Sequence, residues 1–345
     1  MRTIGTSTYG LICPIFKEGD DLCQIISDTL LNSGLEINDR DVLGITESVV
    51  ARAEGNYVTV DEVAESVKKL FNNPKSILVY KPIYSRNRFA MILKGIARAV
   101  EETVFIRMPN IDEVGNVLVN HPFTGLNYDE YYKSIVETEG KRCEIIYDHS
   151  DCVDDMMNTL DCQIHKQTYN TTLKDICSDK CEYGLYGSNK ATEEKLKLFP
   201  SKKFAQELVE NIQITIYGKV GKKIEVMVYG DGCFKDPVGG IWELADPVVS
   251  PAYTDGLNGT PNELKLKYLA DNDYKDLSGD ELTNAIKQSI RSKNKNLVGN
   301  MASQGTTPRR LTDLLGSLMD LTSGSGDKGT PVIYVKGYFD NLSTY

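Results

Sequence analysis

Histidine and tryptophan are almost missing from this chain. Three histidines, His121, His149 and His165, and one tryptophan, Trp242, are spread over 345 residues. No histidine has a partner recognisable in sequence, which argues against a nucleophile–histidine–acid triad. Trp242, in "GGIWELADP", reads as a core or interface side chain, with base stacking as the lesser alternative. Long apolar runs are missing as well. No segment approaches the roughly 20 residues that cross a bilayer, and "MRTIGTSTYG" lacks the apolar stretch of a secretory leader. Basic residues fall short of acidic ones, 39 against 49, and the net charge of −10 repels a polynucleotide backbone. A local basic pocket for a small anion stays open. The eight cysteines follow no framework spacing and read as reduced thiols of a cytoplasmic protein. Cys162, His165, Cys177 and Cys181 come nearest to a metal cluster, but their spacing fits no standard zinc pattern.

What is present is a globular composition long enough for two lobes. "YGLICPIF" reads as extended. In "EGDDLCQIISDTLLNSGL", Asp20 or Asp21 caps a helix that Gly34 stops. "DVLGIT" reads as a strand running into "ESVVARAEG". "TVDE" is a capping box opening a helix with Val60, Val63, Ala64, Val67 and Leu70 on one face. "SILVY" and "RFAMIL" read as buried strands. Between residues 109 and 223 the signal weakens: 128–139, 193–199 and 202–214 look helical, and "CEIIY" looks like a strand. The last third alternates elements with glycine-rich loops, and loops on a rigid scaffold commonly carry function.

Three of these loops carry chemistry. "YGDGCFKDPVGG" follows the buried run from Ile224 to Val228. Asp231 and Asp236 flank Lys235 there, carboxylates suited to magnesium or manganese beside a lysine suited to a phosphoryl oxygen; a solvated turn with a salt bridge is the equal alternative. In "GTTPRRLTDLLGSLMDLTSGSGDKG", Thr306 or Thr307 caps a helix with Pro308 at its first position. Arg309 and Arg310 then occupy a first turn that is already positive. They either hold a phosphate or carboxylate, or face solvent and pair with nearby aspartates. "TSGSGDKGTP" offers an anion nest with Ser323, Ser325 and Lys328 as phosphate contacts and Asp327 as a metal ligand, or else a mobile connector. It is not a P-loop, because glycine follows the lysine. "YSRNRFAMILKGIARA" concentrates Arg86, Arg88, Lys94 and Arg98, either for anions or for surface salt bridges.

"GLICPIFKEGDDLCQII" and "DRDVLGITESVVARAEGNYVTVDEVA" resemble the amino-terminal signature of the coenzyme F-420:L-glutamate ligases, the gamma-glutamyl ligase family. "IEVMVYGDGCFKDPVGG" and "LTDLLGSLMDLTSGSGDKGTPVIYVKG" are similar to later segments of that family. The resemblance implies an α+β fold of two subdomains with mixed sheets and glycine-rich loops. It divides the chain into an amino-terminal lobe (1–108), a divergent insertion or second lobe (109–223) and a carboxyl-terminal part (224–345). It also implies a homodimer that uses GTP, or ATP, with Mg2+ or Mn2+. A carboxylate acceptor is phosphorylated, and the amine of L-glutamate attacks the acyl phosphate. On this likeness Asp231 matches a metal aspartate, with Asp148 as a rival, and Arg52 stands where the family has lysine. The family's second metal aspartate has "LKGIARA" as its best counterpart, with Ala97 and Arg98 in its place. Family acidic residues at the late helix become Pro308, Arg309 and Arg310.

Overall fold

The structure is a computed structural model that describes residues 3–80, 86–108, 120, 124–147, 162–164, 173–185, 188–230, 234–235, 242–243, 250–259, 264–293, 310–324 and 326–344, with backbone alone at 80, 86–88, 162–164, 234–235 and 242–243. In chain order the first elements are β1 (Ser7–Leu11), α1 (Leu22–Leu31), β2 (Val42–Thr46), α2 (Glu47–Glu54), β3 (Tyr57–Thr59), α3 (Val60–Phe71), β4 (Ser76–Tyr80), α4 (Arg86–Ala99) and β5 (Thr103–Met108). Next come α5 (Tyr128–Thr138), β6 (Arg142–Tyr147), β7 (Cys162–Ile164), β8 (Asn189–Thr192), β9 (Lys195–Lys197), α6 (Lys202–Val220) and β10 (Glu225–Tyr229). The last are β11 (Phe234–Lys235), β12 (Trp242–Glu243), β13 (Ala252–Tyr253), α7 (Gly279–Ser292), α8 (Leu311–Ser323) and β14 (Val332–Lys336). This is a mixed α and β architecture with several sheets, and it forms two compact units.

The first unit comprises Met1–Ala53, Lys203–Phe234 and Glu243–Tyr345. Its sheet has the order β1-β14-β2-β10-β13, with β2 and β10 parallel and every other pair antiparallel. Alternation along the strands fills both faces. Leu43, Ile45, Val226, Val228, Val332 and Tyr334 pack with α1, α2 and α6, while Val42, Met227, Tyr229, Ile333 and Val335 pack with Leu315 and Met319 of α8. Helices on both faces explain why β10 is buried at all five positions. Gly44 is required by this packing, because a Cβ there would lie 2.0 Å from Met319 Sδ. Asp41, 2% exposed, anchors the start of β2. Its Oδ2 accepts from Tyr334 Oη at 2.5 Å and from Asn38 N–H at 2.9 Å, and its Oδ1 accepts from Gly337 N–H at 2.9 Å.

The second unit comprises Glu54–Lys202 and Lys235–Trp242. Its four-stranded sheet is wholly parallel, order β6-β5-β4-β7, so the winding reverses between β4 and β7. A separate antiparallel sheet joins β3, β9 and β8. The capping box is present: Thr59 Oγ1 accepts from Glu62 N–H at 3.1 Å and Glu62 Oε2 accepts from Thr59 N–H at 2.7 Å. The helix α3 buries Val60, Val63, Ala64 and Val67 as read, but Leu70 is 44% exposed. "RFAMIL" is not a strand. It lies in α4, whose Phe89, Ile92, Leu93 and Ile96 are buried. Gly95 lets α4 approach α3, since a Cβ would lie 2.5 Å from Val63 Cγ1. The helix expected over 193–199 is instead a turn leading into β9, where Leu196 and Leu198 are fully buried and alternate with lysines at the period of a strand. Among the described thiols, burial pushes Cys177 up to about 12 and Cys13, Cys143 and Cys181 up to about 11, which makes them poor nucleophiles and ligands.

Asp41→Ala strands two buried donors, Tyr334 Oη and Gly337 N–H, and the half-buried Asn38 N–H, and the expected loss is about 3 kcal/mol in a urea melt followed by circular dichroism; an unchanged midpoint would refute the anchor. Alkylation of Cys177 and Cys181 by iodoacetamide at pH 8 should run on the order of a hundredfold slower than in the unfolded chain. Peptide mass spectrometry reads this, and equal rates would show the thiols to be open.

Candidate functional site

In the first unit, β2 and β10 end together. Thr46 stands opposite Tyr229, and Ile45 stands opposite Val332 at the start of antiparallel β14. One sheet edge therefore gathers the carboxyl ends of two parallel strands and the entry to β14. Thr46 N–H donates to the Pro331 carbonyl at 3.0 Å across it. At the end of β2, α2 begins at Glu47 with no connecting loop, so its free amides lie at this edge. Glu47 itself is 2% exposed, a carboxylate at the positive end of a helix. It was missed in the sequence, where an acidic residue directly after a buried strand was the available signal. Gly230, buried, continues β10.

The glycine-rich segment enters β14 from the same edge. Gly324 has φ +62, and residues Gly326–Lys328 form a tight 3-10 turn. Ser323 Oγ donates to the Asp320 carbonyl at 2.8 Å, and Thr330 Oγ1 donates to the Ser323 carbonyl at 3.1 Å. Asp327 and Lys328 are both exposed. The lysine folds back over Gly324, where a Cβ would stand 2.7 Å from Nζ. Cys13 N–H donates to the Gly329 carbonyl at 3.0 Å, so the "GLICP" stretch abuts this loop. Gly19 N–H donates to the Ala53 carbonyl at 2.9 Å, joining "KEGDD" to the end of α2. Arg52 is exposed on the last turn of that helix.

The late helix departs from expectation. Among the described residues it starts at Leu311, with Arg310 as the residue before it rather than in its first turn. Arg310 forks onto its own helix: Nε donates to Asp313 Oδ2 at 2.9 Å and Nη2 to Asp313 Oδ1. The first turn is thus acidic, as the dipole favours, and for Arg310 the aspartate pairing is what forms. The buried stripe is Thr312, Leu315, Gly316 and Met319. Ser250 Oγ donates to the Thr312 carbonyl at 3.2 Å. Asp231, Asp236, Arg309 and Ser325, with Asp148 and the caps at Thr306 and Thr307, lie outside the described residues. Lys235 is in β11, which pairs with β12.

In the second unit, Arg86 and Arg88 begin α4 after the carboxyl end of β4, beside the winding reversal. Lys94 and Arg98 are committed to carboxylates. Arg98 donates to Glu139 Oε2 at 2.9 Å, Glu194 Oε2 at 2.9 Å and Asp61 Oδ1 at 2.8 Å, and Lys94 pairs with Glu194. Its hydrogen bonds to Glu139 and then to Glu194 raise the arginine's pKa, and Lys94 and Arg98 hold Glu194 below the usual carboxylate range. For this pair the salt-bridge reading holds. Among the described residues no group of three or more His, Cys, Asp or Glu is arranged to hold a metal, and no helix is long and apolar enough to cross a membrane.

The edge in the first unit therefore combines helix-start amides and a lysine on a glycine turn, donors of the kind that receive phosphate groups, beside the buried Glu47. The coenzyme F420:L-glutamate ligase of Methanothermobacter thermautotrophicus is 33% identical over 57 residues, 16% of this chain and 23% of that protein. The match thus spans about a quarter of that relative's length. The family model described as F420-0:Gamma-glutamyl ligase matches residues 10–337. The chain belongs to the F420-0:gamma-glutamyl ligase family.

Proposed function

We propose that this protein is a nucleotide- and divalent-metal-dependent amide ligase. GTP, or ATP, transfers its γ-phosphoryl group to the carboxylate of an acceptor, giving an acyl phosphate. The amine of L-glutamate attacks the acyl carbon, the phosphate leaves with the C–O bonding pair, and an amide remains. The observation that carries this reading is the family match from residue 10 to 337. It is supported by the sheet edge on which the amino-terminal signature and the late glycine-rich loop meet through Cys13 and Gly329.

Roles follow from side-chain chemistry. Asp231 and Asp236, with Asp327, are oxygen ligands of the type Mg2+ and Mn2+ prefer. When bound, such a cation screens the charge of the phosphate oxygens. Lys235 and Arg309 neutralise the transferring phosphoryl group. Ser323, Ser325, Lys328 and Arg52 contact the nucleotide phosphates. Arg310 is left to Asp313. Arg86 and Arg88 offer an anion position of their own, at a place where ligands collect in parallel sheets.

One observation favours a second reading, a nucleotide- or anion-binding relative that does not ligate. Where the resemblance sets a second metal aspartate, this chain has Ala97 and an Arg98 fully occupied by Glu139, Glu194 and Asp61. Phosphate release with GTP, Mg2+, glutamate and a panel of carboxylate acceptors separates the two. Turnover supports ligation, whereas calorimetric nucleotide binding without turnover or metal dependence supports the second reading. Asp231→Asn should lower turnover by a factor on the order of 100 or more with an unchanged circular dichroism spectrum; full activity in this variant would refute the metal assignment. Lys328→Met should weaken nucleotide binding roughly tenfold, equivalent to about 1.4 kcal/mol. An unaltered affinity would remove the glycine turn from the site.

A further inference from the structure

One hydroxyl in the first unit is buried with nothing to bond. Thr312, the second residue of α8, is 1% exposed, and its Oγ1 has no hydrogen-bond partner among the described residues. A buried donor left unmade costs stability that an apolar side chain of the same shape does not, so the hydroxyl calls for an occupant. Side chains on a helix lean toward its amino terminus. Thr312 therefore carries its hydroxyl toward the open end of α8, on the buried stripe it shares with Leu315 and Met319, which pack on the sheet. The backbone at this end narrows the place. Leu311 N–H donates to the Gly259 carbonyl at 3.0 Å and Asp313 N–H to the Arg310 carbonyl at 3.2 Å. Thr312 N–H, between them, has no partner among the described residues, so one residue presents two open donors. Its carbonyl accepts from Ser250 Oγ at 3.2 Å. β13 pairs with β10 so that Ala252 stands opposite Val228, and the same register sets Ser250 level with Gly230. The start of α8 thus stands at the carboxyl end of β10, at the residue directly before Asp231 in sequence.

We propose that Thr312 binds the terminal phosphate of the nucleotide triphosphate, its N–H and its Oγ1–H both donating to phosphate oxygens. The inference rests on the nucleotide-dependent reading above and adds to it a residue that reading did not use. Two donors at the positive end of a 13-residue helix suit an oxyanion and repel an ammonium group. Arg310 and Asp313 cancel each other's charge beside it, so the carboxylate of the first turn does not drive an anion away. A phosphate is favoured over a substrate carboxylate by position, because the next residue after Gly230 is the aspartate assigned to the cation that bridges phosphates. Burial strengthens the contact, since a hydrogen bond made away from water is worth more than one made in it. Thr312 so placed tells a triphosphate from a diphosphate.

Calorimetry on the full chain with Mg2+ tests it, using the β,γ-imido analogues of GTP and ATP beside GDP and ADP. Thr312→Val keeps the shape of the side chain and removes only the hydroxyl. It should weaken the analogue bound by the wild type roughly tenfold, equivalent to about 1.4 kcal/mol, and leave the matching diphosphate within about twofold. Thr312→Ser should restore the loss. The urea midpoint of the free valine variant should equal or exceed that of the wild type, because an unmatched buried hydroxyl has been removed. Should the valine variant misfold by circular dichroism, Thr312→Ala is read with the same ligands. An analogue affinity unchanged by the substitution overturns the proposal and gives the hydroxyl to a water. Equal losses for triphosphate and diphosphate overturn the assignment to the terminal phosphate, and a midpoint that falls together with affinity reduces Thr312 to a structural part. The two readings fail separately. Phosphate release by a wild type whose affinity ignores Thr312→Val sinks this inference alone, whereas triphosphate binding that depends on Thr312 without any release sinks ligation alone.

Discussion

The last strand of the chain holds the first two together. β14 lies between β1 and β2, antiparallel to both, and among the described residues nothing else joins those strands in the sheet. Asp41 fixes this arrangement at one end by receiving Tyr334 and Gly337, and Thr46 fixes it at the other through Pro331. A slip of one residue would turn Tyr334 and Val332 out of one core and bury Ile333 and Val335 in the wrong one. Everything on the candidate edge depends on that register, since it brings the loop before β14 level with the ends of β2 and β10. Such contacts between distant parts of the chain form late in folding, because closing the loop must precede any gain from pairing.

Local signals were legible where chemistry and geometry agree. Asp21 caps α1 by receiving Gln24 N–H, and Thr59 with Glu62 forms the capping box that the four letters announce. The failures have physical causes. "RFAMIL" is short and wholly apolar, so its periodicity cannot tell a buried helix from a buried strand, and packing against α3 at Gly95 decided it. Residues 195–198 alternate lysine and leucine, the period of a strand, but four residues are too few for that alternation to exclude a helix. Leu70 shares the spacing of the buried face of α3 yet lies on the last turn, where the helix has run past its cover.

Charge was harder to read than fold. An arginine says nothing in sequence about which carboxylate it will meet, because its partners come from distant segments. Arg98 meets Asp61 of α3, Glu139 just after α5 and Glu194 in the turn between β8 and β9, and becomes a structural clamp. Arg310 needed only its own helix, and the i,i+3 spacing to Asp313 was visible beforehand. The candidate edge was legible in part. The glycine turn and Lys328 were named from their residue types, whereas Glu47 escaped notice because burial is not written at a single position.

The parallel pair at the centre of the first unit explains why this edge is the one with chemistry. Parallel neighbours require a crossover, and here the chain leaves β2 through α2 and returns to β10 through α6, with the long Glu54–Lys202 part of the second unit between them in sequence. Parallel strands point all their carboxyl ends one way, so the loops that follow them gather on one side instead of alternating as hairpins do. A helix that starts there turns its unpaired amides toward the same side. Antiparallel β14 contributes its entry loop rather than its exit, which is why the glycine-rich segment precedes the strand while the aspartate-bearing loop follows one.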